Sequence, residues 1–339
     1  MTRTVHDHSA WPFPSRWGAD DQVGAGNLLT VERRLAALHS VNDGKLYDLS
    51  HEIGQNAPFM LPNQTPFLLS MWASWRNSIN RRRRAGATND AGSNVERAEM
   101  TMHVGTHIDA LGHFSIGDRL YNGISAAEAV TDWGLDKLGI EHAPPMICRG
   151  LLLDLAGFDG GQFLDAGRPI SPDDLKRAAD AQGVAIAPGD IVLIRTGWGR
   201  FFGVENPRYV TGEPGIDVPA AQWLTRQDVV AIGADNMAVE VMPNPDPQQN
   251  AAGATACAGR GRCLSDRKPH ARRAGARAHL ELLLHPACRQ VQGCHRLPGP
   301  PGRARLKLRP TPKRRVPSLA PPAAAADILP ADLRLTLTA

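Results

Sequence analysis

The stretch MICRGLLLDL (residues 146–155), followed by SPDD (171–174), PGD (188–190) and IVLIR (191–195), decides the fold class. A continuous apolar run such as 146–155 suits a strand buried on both faces. Ser171 is placed as an N-cap, Pro172 as the first helical residue, and Asp173 and Asp174 as acids of the first turn. The helix they start runs to about Gln182, where Gly183 stops it. Pro188-Gly189-Asp190 then turns the chain into a second buried strand over 191–195, and a third is expected over 229–234. Strands alternating with helices in this way favour an α/β sheet with helical cover.

The N-terminal side is less regular. Residues 1–28 read as an irregular arm rich in Pro, Gly and Asp. Val31, Leu35, Leu38 and Val41 recur at helical spacing, so a helix is expected from Thr30. LYDLSHEI (46–53) suits a strand. Residues 77–93 carry Arg81 to Arg84 amid Gly, Asn and Ala, and read as an exposed, mobile loop with a solvated basic run.

Composition divides the chain. Residues 251–339 hold 17 Lys and Arg against 4 Asp and Glu, a balance of +13, whereas residues 1–250 hold 21 basic and 30 acidic residues, a balance of −9. All 18 aromatic residues precede position 251, and four of the five cysteines come after it. A segment without aromatics and rich in Arg, Pro and Ala cannot build a core like its neighbour's. The expected organisation is therefore a domain over 1–250 and an atypical, disordered tail over 251–339. No run of about 18 apolar residues exists, so no spanning helix is expected. The N-terminus lacks the apolar stretch of a signal peptide, and an odd, uneven cysteine set argues against a disulfide framework. A cytoplasmic protein is the expectation.

The chemistry is concentrated in MHVGTHIDALGHF (102–114), where three imidazoles and a carboxylate fall within eleven residues. His103, His107 and Asp109 are of the residue types that hold zinc or manganese, and three protein ligands leave coordination positions open. His103 and His107 could lie one turn apart on a helix. Gly105, Thr106 and the β-branched Val104 and Ile108 make a helix poor, and a strand-and-turn carrier puts His107 and Asp109 on one face. Gly105 permits unusual backbone angles, and Thr106 can hydrogen-bond the turn. His113 is placed to exchange a proton rather than to bind metal.

The string HVGTHIDALGHF resembles the H-x-G-T-H-x-D-x-x-x-H signature of the cyclase family, which includes bacterial kynurenine formamidases and isatin hydrolases. The resemblance continues through RWGADDQVGAGN (16–27), YDLSHEI (47–53), IVLIRTGWGR (191–200) and GADNMAVEVMP (233–243), and so covers roughly residues 10–248. It implies a single domain with a swivelling β/β/α fold and hydrolysis of amide-like bonds dependent on Zn or Mn. On the matching positions, His103, His107 and Asp109 would be metal ligands, with Asp109 able to bridge a second ion, and His113 the catalytic histidine. Metal-bound hydroxide would attack a substrate carbonyl while His113 shuttles the proton. The substrate would be a small molecule, not nucleic acid or membrane, and a homodimer is implied. Asp235 and Asn236 would lie near the substrate, with a structural turn as the alternative. Trp72, Trp75, Trp198, Phe201 and Phe202 are candidate walls for a flat substrate, with core packing as the alternative. Glu96 and Glu99 read as surface charges.

Family members continue with a further His and Glu at the metal, then an apolar strand and a Gly-Ala-Thr-Gly-Ser-Pro ending, none of which is present here. The tail reads instead as the product of a shifted frame. GCHRLP (293–298) can be written GGG-TGC-CAC-CGG-CTC-CCC; read one base later it becomes GGT-GCC-ACC-GGC-TCC-CC, which spells GATGSP once the next base completes the last codon. In the same register residues 289–292 can encode AKFK, 282–284 FFF and 267–269 ENL. A basic nucleic-acid arm or a low-complexity linker would not account for these words. The cysteine and histidine spacings of the tail fit no familiar zinc site. A chain with this tail is expected to bind metal weakly and turn over slowly, or to be an inactive remnant. A metal-assisted dehydratase or cyclase is the third reading.

Overall fold

The first strand of a small hairpin, β1 (Leu68–Ala73), pairs antiparallel with β2 (Val95–Glu99), and a helix, α2 (Trp75–Arg84), is inserted between them. The remaining long elements are α1 (Val31–His39), β3 (His107–Ile108), β4 (Gly150–Asp154), α3 (Pro172–Gln182), β5 (Ile191–Arg195), α4 (Val218–Arg226), β6 (Ala231–Ala234) and β7 (Cys263–Asp266). The structure is a computed structural model that describes residues 14–247 and the strand Cys263–Asp266. The expectations for the rest of the tail, its disorder among them, lie outside the described residues.

The principal sheet is open and five-stranded, in the order β3-β7-β6-β5-β4. β4, β5, β6 and β7 run parallel, and β3 closes one edge antiparallel to β7. Its alternation explains the apolar runs. Val192 and Ile194 of β5 and Ile232 and Ala234 of β6 pack under α3 and α4, against Leu175, Ala178, Ala179, Ala220, Ala221 and Leu224. Ile191, Leu193 and Ala231 face the other side, against Leu29, Leu111, Leu120, Leu138 and Met146. A strand buried on both faces has no polar position to spare, which is why IVLIR reads as unbroken. The fold is thus a mixed α/β single domain with open sheets.

α3 forms as expected. Ser171 accepts a hydrogen bond from the Asp174 N–H, Asp174 reaches back to the Ser171 N–H, and Gly183 ends the helix at φ 67°. Reciprocal caps of this kind are worth about 1 kcal/mol. α1 also forms where the apolar spacing put it, with Thr30 as its N-cap.

Two expectations fail. Residues 46–53 form no strand: the Asp48 carboxylate accepts from the Ser50 N–H (2.9 Å) and the Thr106 hydroxyl from the His51 N–H (3.2 Å), so backbone donors that a ladder would use are taken by side chains. Residues 77–84, read as loop, belong to α2, which Ser74 caps. Arg81 to Arg84 occupy its last turn, where positive charge complements the helix dipole. A helix that is polar nearly all round carries no apolar period to read. Beyond the compositional boundary, β7 takes a place in the sheet between β6 and β3. Among the described residues no helix is long and apolar enough to cross a membrane.

Candidate metal centre

Strand pairing brings the motif to the carboxyl ends of the parallel strands. Ala231 and Ile232 pair with Cys263 and Leu264, and Asp266 pairs with His107, so His107 stands level with the end of β6. Ligand sites of open α/β sheets lie at this end. The carrier is strand and turn: residues 102–106 turn, and His107 and Ile108 form β3. Gly105 has φ 75°, and a Cβ there would meet Ile53 at 2.5 Å, so both backbone angle and space demand glycine. The Thr106 hydroxyl accepts from the His51 N–H, which ties the turn to the 46–53 segment. Below the loop, Val104 is fully buried in a cluster with Ala57, Trp198, Phe201, Phe202, Tyr209 and Met237.

His103, His107 and Asp109 converge. His103 Nδ1 lies 2.9 Å from Asp109 Oδ1 and 3.2 Å from His107 Nε2, and His107 Nε2 lies 3.3 Å from Asp109 Oδ1. Ligands about 2.0–2.1 Å from one tetrahedral ion stand roughly 3.3 Å apart, so these separations suit a small divalent cation. Asp109 Oδ1 is buried, and the two imidazole nitrogens that approach it also face each other at 3.2 Å, so the three ligand atoms crowd one point. His107 Nδ1 lies 3.0 Å from the Gly105 carbonyl; donating there leaves the Nε2 lone pair facing the cluster. Among the described residues this is the group of His, Cys, Asp and Glu side chains able to hold a metal ion.

Burial alone would raise the Asp109 carboxyl, but the close approach of the His103 and His107 rings and the nearby imidazole charges outweigh it and hold the group well below the usual carboxylate range. His113 stacks on His103 at 4.1 Å, and its Nε2 lies 3.9 Å from Asp109 Oδ2. Burial pushes its imidazole below its ordinary value, against the pull of Asp109 and together with the two other histidines. The lowered value favours the neutral imidazole, the form that accepts a proton. Cys148 offers no competing nucleophile, since burial, with Asp190 nearby, pushes its thiol up to about 12.

The other candidates fall in three places. Trp198, Phe201 and Phe202 lie in the buried cluster beneath the metal loop. Trp72 on β1 and Trp75 at the start of α2 stand exposed in the β1–β2 hairpin with its inserted helix, as do Glu96 and Glu99 on β2. Asp235 and Asn236 come directly after β6 and are buried. Asp235 accepts from the Thr196 N–H (2.7 Å), while Asn236 donates to the Pro214 carbonyl (2.6 Å) and accepts from the Val239 N–H (2.9 Å). One residue near the motif escaped the sequence reading. Gln64 donates to the His103 carbonyl at 2.8 Å across 39 positions of chain, a contact with no local pattern to announce it.

Comparison with known proteins places the chain in a family. The cyclase family model matches residues 47–241, stopping short of the compositional boundary. The crystal structure of a novel cyclase is similar at 30% identity with a TM-score of 0.64, covering 74% of this chain and 84% of that one. Isatin hydrolase A from Ralstonia solanacearum is similar at 17% identity with a TM-score of 0.50, over 70% of this chain and 84% of that one, a likeness of fold. No curated protein sequence matches. With the family model spanning more than half its length, the signature HVGTHIDALGHF in place and its ligand atoms converged, the chain belongs to the cyclase family.

Proposed function

We propose that the chain is a metal-dependent hydrolase that cleaves a carbon–nitrogen bond in a small amide, formamide or cyclic imide or lactam, with zinc or manganese as its ion. The observation that carries this reading is the convergence of His103 Nδ1, His107 Nε2 and Asp109 Oδ1 within 3.3 Å of one another. A divalent ion held there supplies Lewis acidity, making water a nucleophile near neutral pH and polarising a carbonyl. The protein's own groups do the rest. Asp109 stays ionised and balances the cation's charge. His107, fixed by the Gly105 carbonyl, keeps one tautomer. His113, neutral and half-exposed beside Asp109, accepts the proton released by attacking water and returns it to the leaving nitrogen. The isatin hydrolase of similar fold supports a cyclic amide among the substrates to try first.

Dehydration or cyclisation at the same site is the second reading, favoured by the name under which the family is known. The mass of the product distinguishes them. Hydrolysis opens cyclic imides and lactams to a product heavier by one water and splits N-formyl anilines into an aniline and formate, whose masses sum to substrate plus water; loss of water instead would assign the alternative.

The tail qualifies the activity of the chain as written. A shifted frame near residues 245–256 accounts for the words hidden in it, and the nucleotide sequence across codons 240–300 decides the matter. A missing or extra base restores the family ending; an intact frame favours a weakly active chain or a remnant.

A further inference from the structure

His103 and His107 are held in different ways. His107 is one-tenth exposed and its ring is fixed through its own Nδ1, whereas the His103 side chain is 37% exposed and its ring touches only other members of the cluster, so its backbone is the anchor to the rest of the fold. The group that fixes this backbone comes from another loop. Gln64 is buried, and both ends of its amide are engaged: Nε2 donates to the His103 carbonyl (2.8 Å), and Oε1 accepts from the Met60 N–H (2.8 Å). Chemistry dictates this orientation, because a carbonyl must meet the NH2 end and an N–H the oxygen end. The Gln64 N–H in turn donates to the Met60 carbonyl (2.8 Å), which closes the loop on itself. Beside it, Thr65 and Thr101 zip the two segments together. The Thr65 N–H donates to Thr101 Oγ1 (2.8 Å), and the Thr101 N–H donates to Thr65 Oγ1 (3.1 Å).

We infer that Gln64 is a positioning residue for the metal centre, setting the place of His103 and through it the affinity for the ion. The inference rests on the reading of His103, His107 and Asp109 as metal ligands. Partners that orient a ligand typically govern metal affinity by about 10–100-fold. A residue acting only on the fold would alter the melting temperature of the metal-free protein and leave affinity alone.

The test is zinc affinity of the full chain, measured by competition with a chromophoric chelator, alongside the melting temperature of the metal-free form. Gln64→Met keeps the volume and loses the donor, and should weaken zinc binding by roughly tenfold or more. Asp174→Asn, remote on α3, serves as the control for a general loss of stability and should leave affinity unchanged. Should Gln64→Met fail to fold, Gln64→Glu keeps the acceptor for Met60 and sets an oxygen against the His103 carbonyl. Added negative charge alone would tighten cation binding, so weaker binding is the expected sign and equal or tighter binding overturns the inference. Equal affinity in wild type and Gln64→Met also overturns it while leaving the metal reading intact. If the wild type itself takes up no zinc, the metal reading is what fails, and the inference falls with it.

Discussion

His113 shows what a single imidazole can be asked to do. It lies 3.9 Å from Asp109 and stacks on His103, beside the three converging ligand atoms without being one of them. Its substitution should therefore separate binding from turnover. His113→Ala is expected to keep zinc or manganese at wild-type affinity and to lose about 10²–10⁴-fold in kcat, the range of a positioned acid–base group. An unchanged rate would remove His113 from the mechanism, and lost metal would make it a ligand. His103, His107, Asp109 and His113 were all legible in the sequence because the motif is local, with four reactive groups in eleven residues punctuated by Gly105. Gln64 was not, since its partner lies 39 residues away and a lone glutamine in a loop carries no periodicity.

At the scale of elements, legibility tracked the source of stability. α3 could be read to the residue because Ser171, Pro172, Asp174 and Gly183 each carry a local signal. β5 could be read because burial on both faces leaves an unbroken apolar run. α2 and the 46–53 segment could not. The first is a polar helix held in a hairpin, and the second an extended stretch whose donors bond to Asp48 and Thr106. The cap of α3 also has a pH signature. Burial would raise the Asp174 carboxyl, but bonds from the Ser171 backbone and hydroxyl and from Arg177, with the charge of Arg168, hold it below its ordinary value. A carboxyl whose folded pKa is depressed stabilises the fold above its unfolded pKa, and that contribution disappears as pH falls through the folded value. Asp174→Asn should thus lower the melting temperature at pH 7 by roughly 2–4 °C for each kcal/mol lost, with about 1 kcal/mol expected. The gap to wild type should begin to narrow below about pH 4 and go on narrowing as pH falls further. Thermal unfolding measured from pH 7 to pH 2 checks this, and a gap that stays constant over that range would refute it.

The whole molecule combines a family domain with a segment of another character. The family match ends at residue 241, and the aromatics and acidic excess end by residue 250. Yet β7, at 263–266, joins the sheet directly beside the strand that carries His107. The metal motif is thus seated against chain whose composition departs from the domain it completes. Substrate identity was not legible for a different reason: it is set by the walls around the site rather than by the ligands. The central claim is that His103, His107 and Asp109 hold a divalent ion, and equilibrium dialysis of the purified chain against zinc or manganese tests it most directly. The account predicts saturable uptake of about one ion per chain, abolished in a folded Asp109→Asn variant. Absence of uptake by the wild type, or equal uptake by Asp109→Asn, would contradict it.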